Sequence, residues 1–416
     1  MSARLRVLLA GEPAGWLRRK ANGNLQFAYD AAYVARDGRP ISFAMPLTNE
    51  RFPHRTCLAV FGGLLPEQDV RLAIAQLRGI SPNNDFRLLE ELGGDCAGAM
   101  QFLIEDDDVE APQHAESYSH ERTLDDEELD SILTDLPRRP LAMIAGDSAR
   151  LSLAGAQGKL PIIVRDETFI LPLMHGPPTT HIIKPEPARF PGLVDNEYTC
   201  MKLAHQLGLP VAAVSRAHTT SGLGYLLVER YDRMRTNAGT VRIHQEDLCQ
   251  ALARLPHEKY ETEGGPTISE AASLVRAATA VPAIDVVNLW DAVMFNVLIG
   301  NCDAHGKNYS LLYRQPRPSL APLYDLVSTA IYPELSSRLA MSVGSATQVR
   351  DVDSSAVEAC ARACGLAPRG ARGRCDDLAA RLRTCARRMI TEPEYNSETA
   401  QQVLYDAIDR AERLLG

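Results

Sequence analysis

At 416 residues, with 45% hydrophobic and 23% charged side chains, the chain is long enough to bury at least one sizeable core and predicts roughly two or three domains. A formal net charge of -9 excludes a molecule that coats nucleic acid over its whole surface, because polyphosphate binding draws on clustered positive charge. Any DNA contact is expected to be local or supplied through a partner.

The first dozen residues hold no apolar core of signal-peptide length, and no uncharged apolar run of about 18 residues occurs, so neither secretion nor a membrane span is expected. Nine cysteines, an odd number scattered along the chain, do not form a disulfide framework and suit a reducing compartment, the cytoplasm.

In chain order, Trp16-Leu17-Arg18-Arg19, then Asn22-Gly23, then Leu25-Gln26-Phe27-Ala28 predict a hairpin with a type I′ turn. Phe61-Gly62-Gly63-Leu64-Leu65-Pro66-Glu67 reads as a loop feeding a helix at 70–77, with a second helix at 85–92. Residues 1–104 thus form one α+β module. Residues 105–122 turn acidic, Ser-rich and aperiodic, the composition of a linker. Thr123-Leu124-Asp125-Asp126 has capping-box spacing and predicts a short helix reaching 136.

Between 151 and 232, short Val- and Ile-rich runs alternate with turns around one helix at 196–207, closed by Gly208. Beyond 245 amphipathic helices dominate, apart from strand-like runs at 309–313 and 320–324. A β-rich half followed by an α-rich half predicts two lobes with a ligand cleft. Cys360, Cys364, Cys375 and Cys385 crowd one stretch but lack a Cys-x-x-Cys knuckle, so they read as small helix residues, with a zinc site as the competing reading.

The strongest local signal is Asn301-Cys302-Asp303-Ala304-His305-Gly306-Lys307-Asn308, set between an apolar helix at 284–299 and the run Tyr309-Ser310-Leu311-Leu312-Tyr313. An aspartate five residues before an asparagine has the spacing of a kinase catalytic loop, in which Asp meets the acceptor hydroxyl and Asn holds magnesium. Asp303 is the candidate base and Asn308 a metal ligand. Asp325, after Leu323-Tyr324, offers a second carboxylate for Mg²⁺, which takes hard oxygens plus nucleotide phosphates. Taken alone, D-x-x-x-x-N is equally a pair of turn formers.

The order of other elements favours the functional reading. Lys184 ends the β-branched run His181-Ile182-Ile183-Lys184, where a strand lysine ties down α- and β-phosphates, and Glu197 opens the next helix as its partner; the plain alternatives are a solvated strand end and a helix-terminal acid. Ser152-Leu153-Ala154-Gly155-Ala156-Gln157-Gly158-Lys159 is a small-residue loop whose N–H groups suit phosphate oxygens. It fails the Walker pattern, since positions 153 and 160 are both leucine, and the chain lacks the G-x-G-x-x-G of ordinary protein kinases. Tyr225-Leu226-Leu227-Val228-Glu229-Arg230-Tyr231-Asp232 reads as the hinge strand, where backbone near Glu229 and Tyr231 meets the adenine edge, or as a plain interdomain strand.

In this order, 61–67, 94–100, 152–159, 181–185, 196–208, 228–233, 244–250 with 260–266, 298–311 and 322–325 resemble the HipA family of bacterial serine/threonine kinases, the toxins of HipBA toxin–antitoxin modules. The resemblance covers nearly the whole chain. It implies an α+β, two-lobed protein-kinase-like fold: an N-terminal subdomain (1–104), the acidic linker (105–122), a β-rich ATP-binding lobe (123–235) and an all-α catalytic lobe (236–416). Asp303 corresponds to the catalytic aspartate, and Asn308 and Asp325 to the Mg²⁺ ligands. The ATP contacts fall on Ala154, Gly155, Ala156, Gln157, Gly158, Lys159, Lys184, Glu229, Arg230, Tyr231, His305, Gly306, Lys307, Asn308, Tyr324 and Asp325. Ser152 corresponds to the autophosphorylated serine, whose modification expels the phosphate-binding loop and silences the kinase, as added negative charge beside phosphates should.

The implied partners are a HipB-like helix-turn-helix antitoxin, operator DNA reached through that complex, and a protein substrate, an aminoacyl-tRNA synthetase in the best-known relative. Two departures stand out. Gly158 replaces a residue often polar or charged in relatives, and Leu326-Val327 follows Asp325 where an ordinary protein kinase has Phe-Gly. Arg369, Arg372, Arg374, Arg381, Arg383, Arg387 and Arg388 form a basic cluster that reads as a solvated helix face or as an operator-phosphate surface. Two competing functions are a small-molecule or lipid kinase on a related fold and a non-catalytic co-repressor subunit; intact Lys184, Asp303, Asn308 and Asp325 speak against the second.

Overall fold

Alternation of apolar and polar residues along 4–9, 12–19, 25–29 and 100–104 gives strands with one buried face, and the chain closes them into a sheet. The computed structural model describes residues 3–104, 121–142, 150–152, 154–155, 157–173 and 176–415. Residues 105–120 of the expected linker, and Ala156 of the phosphate loop, lie outside the described residues. The chain forms two compact units, one of Met1–Pro185, Ala217–Pro256 and Leu312–Pro316, the other of Glu186–Arg216, His257–Leu311 and Arg317–Gly416.

In the first unit, an antiparallel sheet runs in the order Leu25–Tyr29, Glu12–Arg19, Arg4–Leu9, Met100–Ile104. Leu5, Val7, Leu17, Phe27 and Phe102 bury its inner face against Phe61, Leu64, Phe86 and Leu89. The expected hairpin forms, but its turn differs. Gly23 is left-handed (φ +85°) and its N–H bonds Lys20 O at 2.9 Å, whereas Asn22 keeps a negative φ. This is a three-residue loop with glycine at the left-handed position, not a type I′ turn, which needs both central residues at positive φ. Helices Gln68–Arg78 and Asp85–Leu92 form as expected. The 61–67 segment is partly helical: a π turn, Leu58–Gly62, extends the short helix His54–Cys57, and the loop begins only after it.

The second sheet of this unit has the order Glu121–Leu124, Thr168–Pro172, Leu160–Arg165, His181–Pro185, Gly224–Glu229, Val214–His218. Its edge strand, Glu121–Leu124, begins inside the span read as linker and pairs with Thr168–Pro172. The next helix, Asp126–Asp135, is capped by Asp125 and not by Thr123. Asp125 Oδ1 accepts from Glu128 N–H at 2.8 Å and Glu128 returns the bond to Asp125 N–H at 3.3 Å, satisfying two of the orphan donors of the first turn. Leu129, Leu133 and Leu136 bury that helix against Leu160, Ile162 and Ile183.

The second unit is built on helices Leu193–Gln206, Ile268–Ala278, Pro282–Ile299, Ser354–Ala363, Pro368–Met389 and Glu398–Leu415. Leu193–Gln206 starts three residues before the expected position, so Glu197 lies inside it and does not open it. Pro282–Ile299 is apolar on nearly all sides. It is long and apolar enough to cross a bilayer, and here it is a buried core helix packed by Ile268–Ala278, Pro368–Met389 and Glu398–Leu415. Its Asp291 is buried in a fork with the Arg374 guanidinium, two bonds of 2.6 Å, and Trp290 Nε1 donates to Ala371 O at 3.1 Å. A hairpin, Arg338–Val343 with Ala346–Gln348, adds strands to this helical half, and the expected run at 320–324 shortens to Ser319–Leu320.

Cys360, Cys364 and Cys375 are buried and Cys385 is half-buried, and all four are free thiols. Most of the neighbouring arginines are matched. Arg372 pairs with Asp376, Arg374 with Asp291, Arg381 with Asp377, Arg387 with Glu412 and Arg388 with Glu392.

Candidate active site

Helix Pro282–Ile299 stops because Gly300 turns left-handed, φ +73°, where a side chain would meet the Arg410 guanidinium at 2.5 Å. The chain then enters the 301–308 loop, and from 301 to 307 Asp303 alone is exposed. The backbone around it is pinned. Asn301 Nδ2 donates to Asn296 Oδ1 at 2.8 Å, and Asn301 Oδ1 accepts from Asp303 N–H at 3.1 Å. Cys302 N–H donates to Thr329 Oγ1 at 2.7 Å, and Cys302 O accepts from Ala340 N–H at 3.0 Å. His305 N–H returns to Asp303 O at 2.8 Å. A solvent-facing carboxylate on a fixed backbone could meet a reacting hydroxyl without the entropy of ordering its loop later.

Downstream, His305 leads a 3₁₀ turn, Gly306–Asn308. The amide oxygen of Asn308 is buried and has no hydrogen-bond partner among the described residues. Leaving such an acceptor unsatisfied costs about 1–3 kcal/mol, and a hard amide oxygen is a suitable Mg²⁺ ligand, so the position fits the metal that kinase chemistry implies. The Asp325 loop is tied to this one. Tyr324 Oη donates to Lys307 O at 2.6 Å and lies 2.7 Å from Ser310 Oγ, and Asn301 Nδ2 reaches Asp325 O at 3.4 Å. Asp325 itself holds φ +53°, a conformation that a non-glycine residue keeps only when its surroundings enforce it. Asp303, His305, Gly306, Lys307, Asn308, Tyr324 and Asp325 are therefore gathered into one linked pair of loops. Glu197 is buried in the same unit.

The remaining candidates lie in the first unit. Ser152 is fully buried, its hydroxyl donating to Leu64 O at 2.8 Å and its N–H to Asp95 O at 3.0 Å. Gly155 takes φ +108° and its O accepts from Glu67 N–H at 3.1 Å. Lys159 Nζ donates to Ala154 O at 2.6 Å and stands 2.9 Å from where a Gly155 Cβ would be, so only glycine leaves this turn open. Gln157 and Gly158 are half-buried beside it. Lys184 is buried on its strand opposite Leu226.

Past Glu229, which is exposed, the backbone N–H of Arg230 is occupied by Thr180 O at 2.9 Å. The Arg230 guanidinium turns inward to Asp232, Thr179 Oγ1 and Cys96 O. Tyr231 donates its hydroxyl to Gln245.

Sequence reasoning missed what Arg230 joins. Asp95 accepts from Arg233 at 2.9 Å, Arg242 at 2.8 Å and Thr179 Oγ1 at 2.7 Å, with Arg230 at 3.5 Å. Burial alone would raise the Asp95 carboxyl, and the guanidiniums of Arg233, Arg242 and Arg230 outweigh it, holding the group well below the usual carboxylate range. Since Asp95 O also carries Ser152 N–H, one residue binds the start of the Ser152–Lys159 loop to the Arg230–Arg233 segment. Its partners lie up to 147 positions away, and no local period signals such a pairing. Tyr260, whose hydroxyl reaches Asp303, was also missed; the Gly264-Gly265-Pro266 turn after it was the available signal.

Comparison with known proteins identifies the family. Family models match both halves, the HipA N-terminal domain over residues 5–103 and the HipA-like C-terminal domain over residues 151–386. A solved complex of Shewanella oneidensis HipA with HipB and its operator DNA contains a chain that superposes with a TM-score of 0.84, at 27% identity, over 99% of this chain and 97% of that one. The putative kinase Y4mE of Sinorhizobium fredii is 45% identical over 87% of this chain and 86% of its own length. The serine/threonine-protein kinase toxin HipA of Shewanella oneidensis is 32% identical over 74% of this chain and 71% of its own. Fold and sequence together define a kinase, with the mixed α and β architecture expected of it. Within that class the chain belongs to the HipA family of serine/threonine-protein kinases.

Proposed function

We propose that the chain transfers the γ-phosphoryl group of ATP to a protein serine, with Asp303 accepting the proton of the acceptor hydroxyl. The observation that carries this reading is the pairing of an exposed, backbone-pinned Asp303 with a buried, donor-free Asn308 Oδ1 five residues later. Asn308 and Asp325 are the residues that would hold Mg²⁺. When bound, the ion neutralises charge on the β- and γ-phosphates.

In the first unit, the loop Ala154–Lys159 and Lys184 are the residues that would take the phosphates. In the second, His305, Gly306, Lys307 and Tyr324 are the further residues that would take the nucleotide, and Glu197 is the acidic residue the family pattern pairs with the strand lysine. With the Arg230 N–H occupied, the backbone of Glu229 and Tyr231 meets the adenine edge, and the Arg230 side chain acts as the anchor of that link. In functional terms the lobes are then 123–235 and 236–416, with 1–104 as an added module.

Autophosphorylation at Ser152 requires its hydroxyl to leave Leu64 O, and the added charge would then oppose return of the loop beside nucleotide phosphates. The solved HipA–HipB–operator complex supports a HipB-like antitoxin as partner and operator DNA reached through it; an aminoacyl-tRNA synthetase as one candidate substrate and a cytoplasmic site of action rest on the family resemblance alone.

The test is to incubate purified full-length chain with Mg²⁺, γ-labelled ATP and cell extract. Label in a discrete protein band is expected. Label in an organic-soluble metabolite would instead assign a small-molecule or lipid kinase. No transfer, together with no rise in melting temperature on adding MgATP, would assign a co-repressor.

A further inference from the structure

The hydroxyl of Tyr260 donates to Oδ1 of Asp303 at 2.5 Å across 43 positions of sequence, while Oδ2 makes no hydrogen bond among the described residues. The Tyr260 ring meets His305 edge-on, with centroids 5.3 Å apart at 80°. The backbone beneath Tyr260 is fixed from several directions. Its carbonyl accepts from Glu263 N–H at 2.9 Å and Gly265 N–H at 2.8 Å, in a turn closed by Gly264 at φ +92°. Gly265 fits because a Cβ there would stand 2.7 Å from the carbonyl oxygens of Lys259 and Tyr260. Lys259 O accepts from Gly306 N–H at 3.3 Å, and the Glu261 carboxylate accepts from Ser342 N–H at 2.5 Å. The phenol is thus held by the loop it touches.

We propose that Tyr260 is a positioning residue for phosphoryl transfer, a clamp that fixes one carboxylate oxygen of Asp303 so that the other faces the acceptor. The proposal rests on the reading of Asp303 as proton acceptor. An exposed aspartate samples several rotamers, and a charge-assisted bond from a rigid donor selects one of them before substrate arrives. In the step itself, the acceptor oxygen bonds to the γ-phosphorus as its proton passes to Oδ2. The bond from that phosphorus to the β–γ bridging oxygen breaks, ADP leaves, and Tyr260 keeps its own proton. The turn built around Gly264 and Gly265 fixes the backbone from which the phenol reaches Asp303, and the edge-on contact with His305 backs the ring.

The experiment uses full-length chain, Mg²⁺, γ-labelled ATP and dephosphorylated casein as acceptor. Tyr260→Phe keeps the ring on His305 and removes only the hydroxyl. Its kcat falls about tenfold, with KM for ATP within about twofold of the parent and the melting temperature unchanged. Tyr260→His, which returns a ring N–H, recovers part of the loss. Asp303→Asn abolishes transfer whichever residue stands at 260. An unchanged or raised kcat in Tyr260→Phe overturns the clamp and leaves Asp303 in its role, whereas persistent transfer by Asp303→Asn overturns the reading beneath it. If Tyr260→Phe melts lower and loses KM along with kcat, the hydroxyl serves the fold and the proposal falls.

Discussion

The loop carrying Asp303 and the cluster around Asp95 both concentrate polar groups, the first at the surface of one unit and the second wholly inside the other. Around Asp303 the backbone is satisfied bond by bond, and one carboxylate oxygen is left to face solvent. At Asp95 both carboxylate oxygens are taken by guanidiniums or by Thr179. The same side chain therefore does opposite work. An aspartate with spare bonding capacity on a rigid loop is available for chemistry, the role proposed for Asp303, and one with none left serves architecture.

The comparison breaks most visibly in the first pair of variants. Asp303→Ala is expected to lower phosphoryl transfer at least about 1,000-fold, roughly 4 kcal/mol of barrier, with no change in melting temperature, read by transfer of γ-label and a thermal melt. Asp95→Ala removes the carboxylate shared by Arg230, Arg233 and half-buried Arg242, leaves the two buried arginines only Asp232 as counter-charge, and is expected to destabilise its unit by about 3–5 kcal/mol, read by urea titration. If the two variants exchanged these effects, the distinction would be wrong.

A smaller effect concerns Glu246, buried among Ser42 Oγ at 2.6 Å, Phe43 N–H at 2.9 Å and the Tyr313 hydroxyl. Burial pushes its carboxyl up to about 7, with the donors from Ser42, Tyr313 and Phe43 offsetting part of the rise. A folded-state value above the unfolded one means this stability is complete below about pH 4.5 and is lost as pH rises toward 7, on the order of 2–3 kcal/mol. Neighbouring His244, which burial lowers to about 4, slopes the opposite way, because the unfolded chain binds its proton more readily. The informative quantity is thus a difference: Glu246→Gln should gain on the parent between pH 4.5 and 7, measured by denaturant melts at several pH values, and a flat difference contradicts it. Smallest of all, Arg387→Ala removes an exposed pair with Glu412 and should shift stability by less than about 0.5 kcal/mol in the same melts.

Local structure and the candidate loops were legible in the sequence, and long-range pairing was not. The Asp303–Asn308 spacing, the lysine near the end of His181–Pro185 and the glycine stop at 208 are decided within a few residues, so spacing alone exposes them. The Asn22-Gly23 hairpin was legible as a hairpin, but loop length decides the turn type, and Lys20 and Asn24 close a three-residue loop. Glu121–Leu124 was hidden because an edge strand next to an acidic tract carries little apolar signal and gains its place only by pairing with Thr168–Pro172. The Asp95 cluster and the Tyr260 contact depend on segments far apart in sequence, which no local pattern encodes.

The most direct test of the Asp303 centre is a crystal grown with Mg²⁺ and a non-hydrolysable ATP analogue. The metal is expected on Asn308 Oδ1 and the Asp325 carboxylate, with the γ-phosphate turned toward Asp303. A nucleotide bound elsewhere, with no metal on those oxygens, would contradict the assignment.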